Sequence, residues 1–240
     1  MAEAKHSDGD KLSIMTTVAL KGVLGELEPD FRREHGCDFS MTFGPGGVTA
    51  ERVRAGHVDD VVISAPPTLG ALTADGYLIA GSQRPIARSI IGVAVRAGAA
   101  RPKIATVDEF KRALLEAKSI AYSNPATGAA SGVHFTALLA KLGIADEINA
   151  KAKLGQGGPV AEYVARGEAE LAIQQICEHM LVRGVDVVGP LPAELQSVTT
   201  LAVALHRKAA RPDAAVALAA LLVSPHAEGI MHKHGLEAVV

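Results

Sequence analysis

Small and hydroxyl-bearing residues gather at four points of this chain where a strand gives way to a helix. The fullest is AYSNPATGAASGVHFTALLAKLG, Ala121 to Gly143. Its pattern predicts a buried strand over 118–122, a loop built from Asn124, Pro125, Thr127, Gly128, Ser131 and Gly132, and an amphipathic helix that stops at Gly143. Residues this small leave backbone N–H groups uncovered at a helix start, where the aligned peptide dipoles place partial positive charge. The chemistry on offer is anion binding. One such loop is also what any strand-to-helix turn needs, since glycine lets the chain turn. Three more loops of the same kind, at Thr16-Thr17, Gly44 to Gly47 and Gly155 to Gly158, make it a pattern. The ligand-binding candidates it supplies are Thr16, Thr17, Gly46, Gly47, Thr127, Ala130, Ser131 and Gly158.

The elements that must position these loops alternate. KLSIMTT (11–17) reads as a strand, with Thr16 or Thr17 as side-chain N-cap of a helix over 18–36 that breaks near Pro29. Strand patterns follow at 37–43, 59–64, 90–96, 170–176, 185–192 and 198–205, with helices after GPGG, over 66–74, 107–117 and 159–166, and a helix pair from Pro212 broken near Pro225. Strand–loop–helix repetition predicts an α/β fold with a mainly parallel sheet. It also repeats internally. Gly46-Gly47-x-x-Ala50-Glu51-x-Val53-x-x-Gly56-x-x-Asp59 recurs 111 residues on, as Gly157-Gly158-x-x-Ala161-Glu162-x-Val164-x-x-Gly167-x-x-Glu170. Two similar lobes account for that, each with two helix starts at the carboxyl ends of its strands, where ligands of parallel sheets bind.

Bulk properties exclude several classes. The 240 residues carry 24 basic and 26 acidic side chains, a net charge of -2, so nothing here attracts a nucleic acid as a whole. No apolar run approaches the roughly 20 residues of a membrane span. MAEAKHSDGDKL lacks the apolar core of a secretion signal, so the chain reads as cytoplasmic as written, and as periplasmic if a signal peptide has been removed. Cys37 and Cys177 are expected to be reduced packing residues. His226, His232 and His234 read as helix-end residues and not as a metal site, and no cofactor motif is present.

In order and spacing, the segments LSIMTTVAL, FGPGGVTAERVRAGHVDDVVISA, IAYSNPATGAASG, GGPVAEYVARGEAELAI and VALAALLVSPHAEGIMHKHGL resemble the molybdate-binding periplasmic receptors and related type 2 solute-binding proteins. The resemblance implies a two-lobe type 2 periplasmic-binding-protein fold, with lobe 1 over 1–86 plus 206–240 and lobe 2 over 87–205. It implies two hinge strands, IIGVAVR and VTTLAVAL, and a transporter as partner if the protein is secreted.

Departures from that family point to the ligand. Ala19 stands where the resemblance expects a first-loop serine, Gly46-Gly47 where it expects a serine loop, and Gln174 or Gln175 where it expects a tyrosine. Arg88, just before a hinge strand, offers a planar fork that matches a carboxylate, and glutamine amides can read further oxygens. The expected ligand is therefore a small carboxylate ahead of a molybdate-type oxyanion, bound also by Arg88, Gln174 and Gln175. The alternative is an enzyme similar to aconitate isomerase, shifting a proton along an allylic polycarboxylate. That chemistry needs a base, for which His134, Glu178 and His179 are the candidates.

Overall fold

The computed structural model describes residues 11–239. The chain divides into two compact units; it crosses from one to the other between Ala87 and Arg88 and between Thr199 and Thr200, and the short segment His234–Leu236 returns to the second.

Unit 1 begins with β1 (Lys11–Thr16), a 3-10 turn over Val18–Leu20, and α1 (Lys21–His35), which ends on Gly36 in the left-handed conformation. The expected break at Pro29 does not occur. Val23, Leu24, Leu27 and Phe31 bury the face of α1 on both sides of it, while Pro29 and Gly25, whose carbonyl loses its partner, lie on the exposed face. Water can satisfy that carbonyl there. The chain continues through β2 (Asp38–Phe43), α2 (Gly46–Arg54), β3 (Val61–Ser64), α3 (Pro66–Ala74) and the long β4 (Arg84–Arg96), along which it enters unit 2.

Unit 2 holds α4 (Val107–Glu116), β5 (Ile120–Ser123), a 3-10 turn over Pro125–Thr127 and α5 (Ala130–Leu142), which stops on left-handed Gly143. Then come α6 (Ala145–Ala150), β6 (Ala152–Gly155), α7 (Ala161–Ala165), β7 (Leu171–Gln175), α8 (Ile176–His179) and β8 (Val185–Pro190). The return strand β9 (Val198–Leu205) leads back to unit 1, which closes with α9 (Pro212–Leu221), α10 (Pro225–Lys233) and β10 (Glu237–Ala238). No single helix among the described residues is long and apolar enough to cross a membrane.

Each unit builds the same kind of sheet. In unit 1, β1 pairs in parallel with β2 and β3, and β3 pairs antiparallel with β9. In unit 2, β5 pairs in parallel with β6 and β7, and β7 pairs antiparallel with β4. The cores are aliphatic, as the scarcity of aromatics requires. Met15, Val53, Val62, Leu69 and Leu72 pack in unit 1, and Phe110, Leu114, Ile120, Phe135, Leu139 and Ile173 in unit 2. Asp60 ties unit 1 together at the base of β3. It accepts hydrogen bonds from Ser13 N and Oγ and from Arg211 N. Burial alone would raise its pKa, but these bonds hold it below the ordinary value.

Candidate functional site

Parallel strands end together, so β1, β2 and β3 deliver the loops after them to one edge of unit 1. The first loop carries Thr16 and Thr17, the second Gly46 and Gly47, and the third Ser64. Thr17 stands at the N-cap position, yet its side chain makes no cap bond. Contrary to the expected capping role, the hydroxyls of Thr16 and Thr17 are both buried without a hydrogen-bond partner. Ser64, at the end of β3, is 1% exposed and its hydroxyl is likewise unpartnered. Sequence reasoning missed this residue. Its signal was a serine closing an otherwise apolar strand.

The start of α2 completes this set. Its N-cap is Pro45, which has no side-chain cap to offer, so the first-turn N–H groups stay available. No acidic side chain lies in that turn, and Arg52 and Arg54 sit at the far end. Gly46 fits because it has no side chain. A Cβ there would fall 2.9 Å from Thr68 Oγ1 and 3.4 Å from Ser64 Oγ, whereas one on Gly47 would meet nothing within 4 Å. The start of α3 is closed by contrast, since Pro66 and Pro67 carry no N–H and Thr68 N already bonds Ala65 O. Unit 1 thus presents neutral donors, three hydroxyls and the first-turn amides of α2. A buried unmatched hydroxyl costs about 1–3 kcal/mol, which a ligand oxygen would recover.

In unit 2 the two loops differ from each other. The start of α5 is open: Ala129 is its N-cap with no cap bond, Ala130 is exposed at the first position, and Ser131 is buried at the second. Gly132 is required there, because a Cβ would lie 2.2 Å from the carbonyl oxygen of Ser123. Thr127 spends its hydroxyl on Asn124 O at 2.7 Å.

The start of α7 is closed. Gln174 Oε1 accepts from Val160 N at 2.7 Å, while Nε2 donates to Ser123 Oγ at 3.2 Å and to Gly158 O at 3.1 Å. Gln174, expected to read a ligand, has its acceptor and donors engaged within the unit. Gly158, at φ 72°, serves this arrangement as a turn whose carbonyl takes one of those bonds. Gln175 is engaged in the same way. Its Oε1 accepts from Ser89 Oγ at 2.8 Å and its Nε2 donates to Thr199 Oγ1 at 3.2 Å.

Arg88 is exposed between buried Ala87 and Ser89, and no ion pair or hydrogen bond of its side chain appears among the described residues.

The proton-transfer candidates separate as well. His134 is half-buried on α5, and its Nε2 donates to Leu195 O at 2.8 Å. His179 is fully buried. Its Nε2 lies 3.2 Å from Gly92 O, its Nδ1 has no partner, and burial pushes its pKa down to about 4, so it is neutral and sealed. Glu178 keeps part of its surface exposed, yet burial of the carboxyl raises its pKa to about 8, so it is protonated at neutral pH. The neighbouring thiol of Cys177 is pushed up to about 12 by burial and then by the Glu178 charge, which makes it inert. Among the described residues no three His, Cys, Asp or Glu side chains converge on a point that could hold a metal ion.

Two α/β units joined by two strand crossings are the architecture of the periplasmic binding proteins. The periplasmic molybdate-binding protein of Azotobacter vinelandii superposes with a TM-score of 0.78 at 21% identity, over 95% of this chain and 99% of that one. The chain belongs to the bacterial extracellular solute-binding proteins, whose family model matches residues 12–237. Aconitate isomerase of a Pseudomonas species is 32% identical over 95% of this chain and 88% of its own length. The molybdate-binding protein ModA of Escherichia coli is 26% identical over 78% of this chain and 74% of its own.

Proposed function

We propose that this solute-binding protein takes a small polycarboxylate of the aconitate type. The observation that carries the reading is the trio of buried, unpartnered hydroxyls of Thr16, Thr17 and Ser64 beside the uncapped start of α2. Gly46 belongs to that set by its lack of a side chain. Unit 2, taken by itself, carries donors of its own in Ser131, the first-turn amides from Ala130 onward, and Arg88. Arg88 offers a planar fork that can hold two carboxylate oxygens at once. The 32% identity with an aconitate isomerase supports the same class. As a member of a family described as extracellular, the protein would work outside the cytoplasm and hand its ligand to a transporter. Most of the leader region read above lies outside the described residues.

The second reading, favoured by the same relative, is catalysis of an allylic proton shift. A base would remove a proton from the CH₂ beside the double bond, the double bond would move, and the proton would return at the far carbon. Of the three candidates His134 would be the base, since it is half-buried and not sealed in the core, while Glu178 would act as proton donor.

A thermal-shift panel separates these readings from the oxyanion receptors. Citrate, cis-aconitate and trans-aconitate are expected to raise the unfolding temperature, since a ligand bound only by the native state stabilises it. A rise with tungstate or molybdate alone would return the protein to the oxyanion binders. Proton NMR of cis- and trans-aconitate in deuterated buffer then decides catalysis: deuterium entering the methylene position supports it, and tight binding without exchange leaves a receptor.

A further inference from the structure

Gln175 looks like a ligand group by position, yet both ends of its amide are engaged with other parts of unit 2. Ser89 Oγ lies 2.8 Å from Gln175 Oε1 and 3.3 Å from Cys177 Sγ. Because the carbonyl end of the amide only accepts, the Ser89 hydroxyl must donate to it, and the Cys177 thiol then donates to Ser89. The other end of the amide donates to Thr199 Oγ1, on β9. The result is a directed chain from Cys177 through Ser89 and Gln175 to Thr199, and each link is polar, buried or nearly so. A second amide grips the same stretch of β4: Gln196 Oε1 accepts from Ile91 N at 3.0 Å and Gln196 Nε2 donates to Ile91 O at 2.9 Å.

Arg88 is the residue immediately before this anchored stretch. Successive side chains of a strand point to opposite faces, so holding Ser89 inward holds Arg88 outward. Among the described residues no side-chain hydrogen bond or ion pair orients Arg88, and the anchored Ser89 adjoins it in the chain. We propose that Gln175 is a positioning residue that presents the Arg88 guanidinium by anchoring Ser89. The inference rests on the reading of Arg88 as a carboxylate donor.

The test is a double-mutant cycle on the full chain, read by calorimetric titration with trans-aconitate at two salt concentrations. Gln175→Leu keeps the volume and removes both bonds, and Ser89→Ala removes the same anchor from the other side should the first variant fail to fold. Each is expected to weaken binding about tenfold, the scale of one lost hydrogen bond of favourable geometry. In an Arg88→Ala background neither should weaken it further. The salt dependence of affinity should fall in Gln175→Leu as it does in Arg88→Ala, which a merely structural role of Gln175 would not produce. Equal losses with and without Arg88 would overturn the positioning role while leaving Arg88 in the site. Unchanged affinity in Arg88→Ala would overturn both, and failure of the wild type to bind trans-aconitate would sink the carboxylate reading beneath them.

Discussion

The two copies of the Gly-Gly-x-x-Ala-Glu-x-Val-x-x-Gly unit diverge at the position that matters for binding. Both glycine stops adopt positive φ, 93° at Gly56 and 75° at Gly167, and both return the chain to a strand. In the first copy α2 begins on Gly46 itself, with its first-turn amides uncapped. In the second, α7 begins only at Ala161, and Gln174 has taken Val160 N. The 111-residue offset that aligns the copies carries Ile63 onto Gln174. An apolar strand residue leaves the helix start of unit 1 open, and an amide fills that of unit 2. The protein thus satisfies one helix start internally and leaves its twin without a side-chain cap.

The strongest way to break this contrast is at the glycines. Gly132→Ala should cost about 3 kcal/mol or more of stability, because its Cβ would meet backbone and backbone does not yield. Gly47→Ala should change stability by less than about 0.5 kcal/mol, since the space is open. Urea unfolding of both variants checks the pair, and equal costs would mean that the two loops are not built as described.

Next in size are the polar groups. Gln174→Leu strands Val160 N and Ser123 Oγ inside unit 2 and should destabilise by about 2–3 kcal/mol. Ser64→Ala removes a buried hydroxyl that bonds nothing in the protein, so stability should hold or rise, by up to about 1–3 kcal/mol. Its effect should appear in ligand affinity instead, as a loss of about tenfold for trans-aconitate by calorimetry. A large stability loss in Ser64→Ala would show that the hydroxyl serves the fold.

The smallest expected effect concerns pH. The donor hydroxyls of unit 1 do not titrate, whereas unit 2 holds two shifted neighbours. In the folded chain Glu178 is raised from 4.5 to about 8 and His179 lowered from 6.5 to about 4, both by burial. Between pH 6.5 and 8 the folded chain holds a proton on Glu178 that the unfolded chain has released, so stability falls as pH rises. Between 4.5 and 6.5 the unfolded chain carries that proton on its histidine instead, and the two effects cancel. Below 4.5 the unfolded chain binds one proton more, and stability falls again down to about pH 4. Urea midpoints across this range should show a plateau with losses on either side, and Glu178→Gln should remove the alkaline one.

Much of the fold could be read from the residues themselves. The stops at Gly36 and Gly143, the pattern Pro66 to Ala74 and the break before Pro225 depend on local backbone chemistry, which a sequence displays. The strand at Ala152–Gly155 and the helix at Ala145–Ala150 were not legible. The first exposes Lys153 and Leu154 together, and the second follows too closely on Gly143 for its own pattern to emerge. Pro29 misled because its neighbours' packing outweighs its local preference. At the site, the small residues marked the loops correctly, but whether a donor is free depends on what faces it across the fold. Thr16 and Thr17 looked like caps and are not, Gln174 looked like a ligand group and is consumed, and Ser64 drew no attention.

The central claim is that the open helix start of unit 1 binds a carboxylate, and the most direct test is calorimetric titration of wild type and Gly46→Val with trans-aconitate, with tungstate as the competing probe. The claim predicts saturable binding of trans-aconitate by the wild type, none by Gly46→Val at a temperature where that variant is still folded, and no comparable binding of tungstate. Undiminished binding of trans-aconitate by Gly46→Val, or binding of tungstate alone by the wild type, would contradict it.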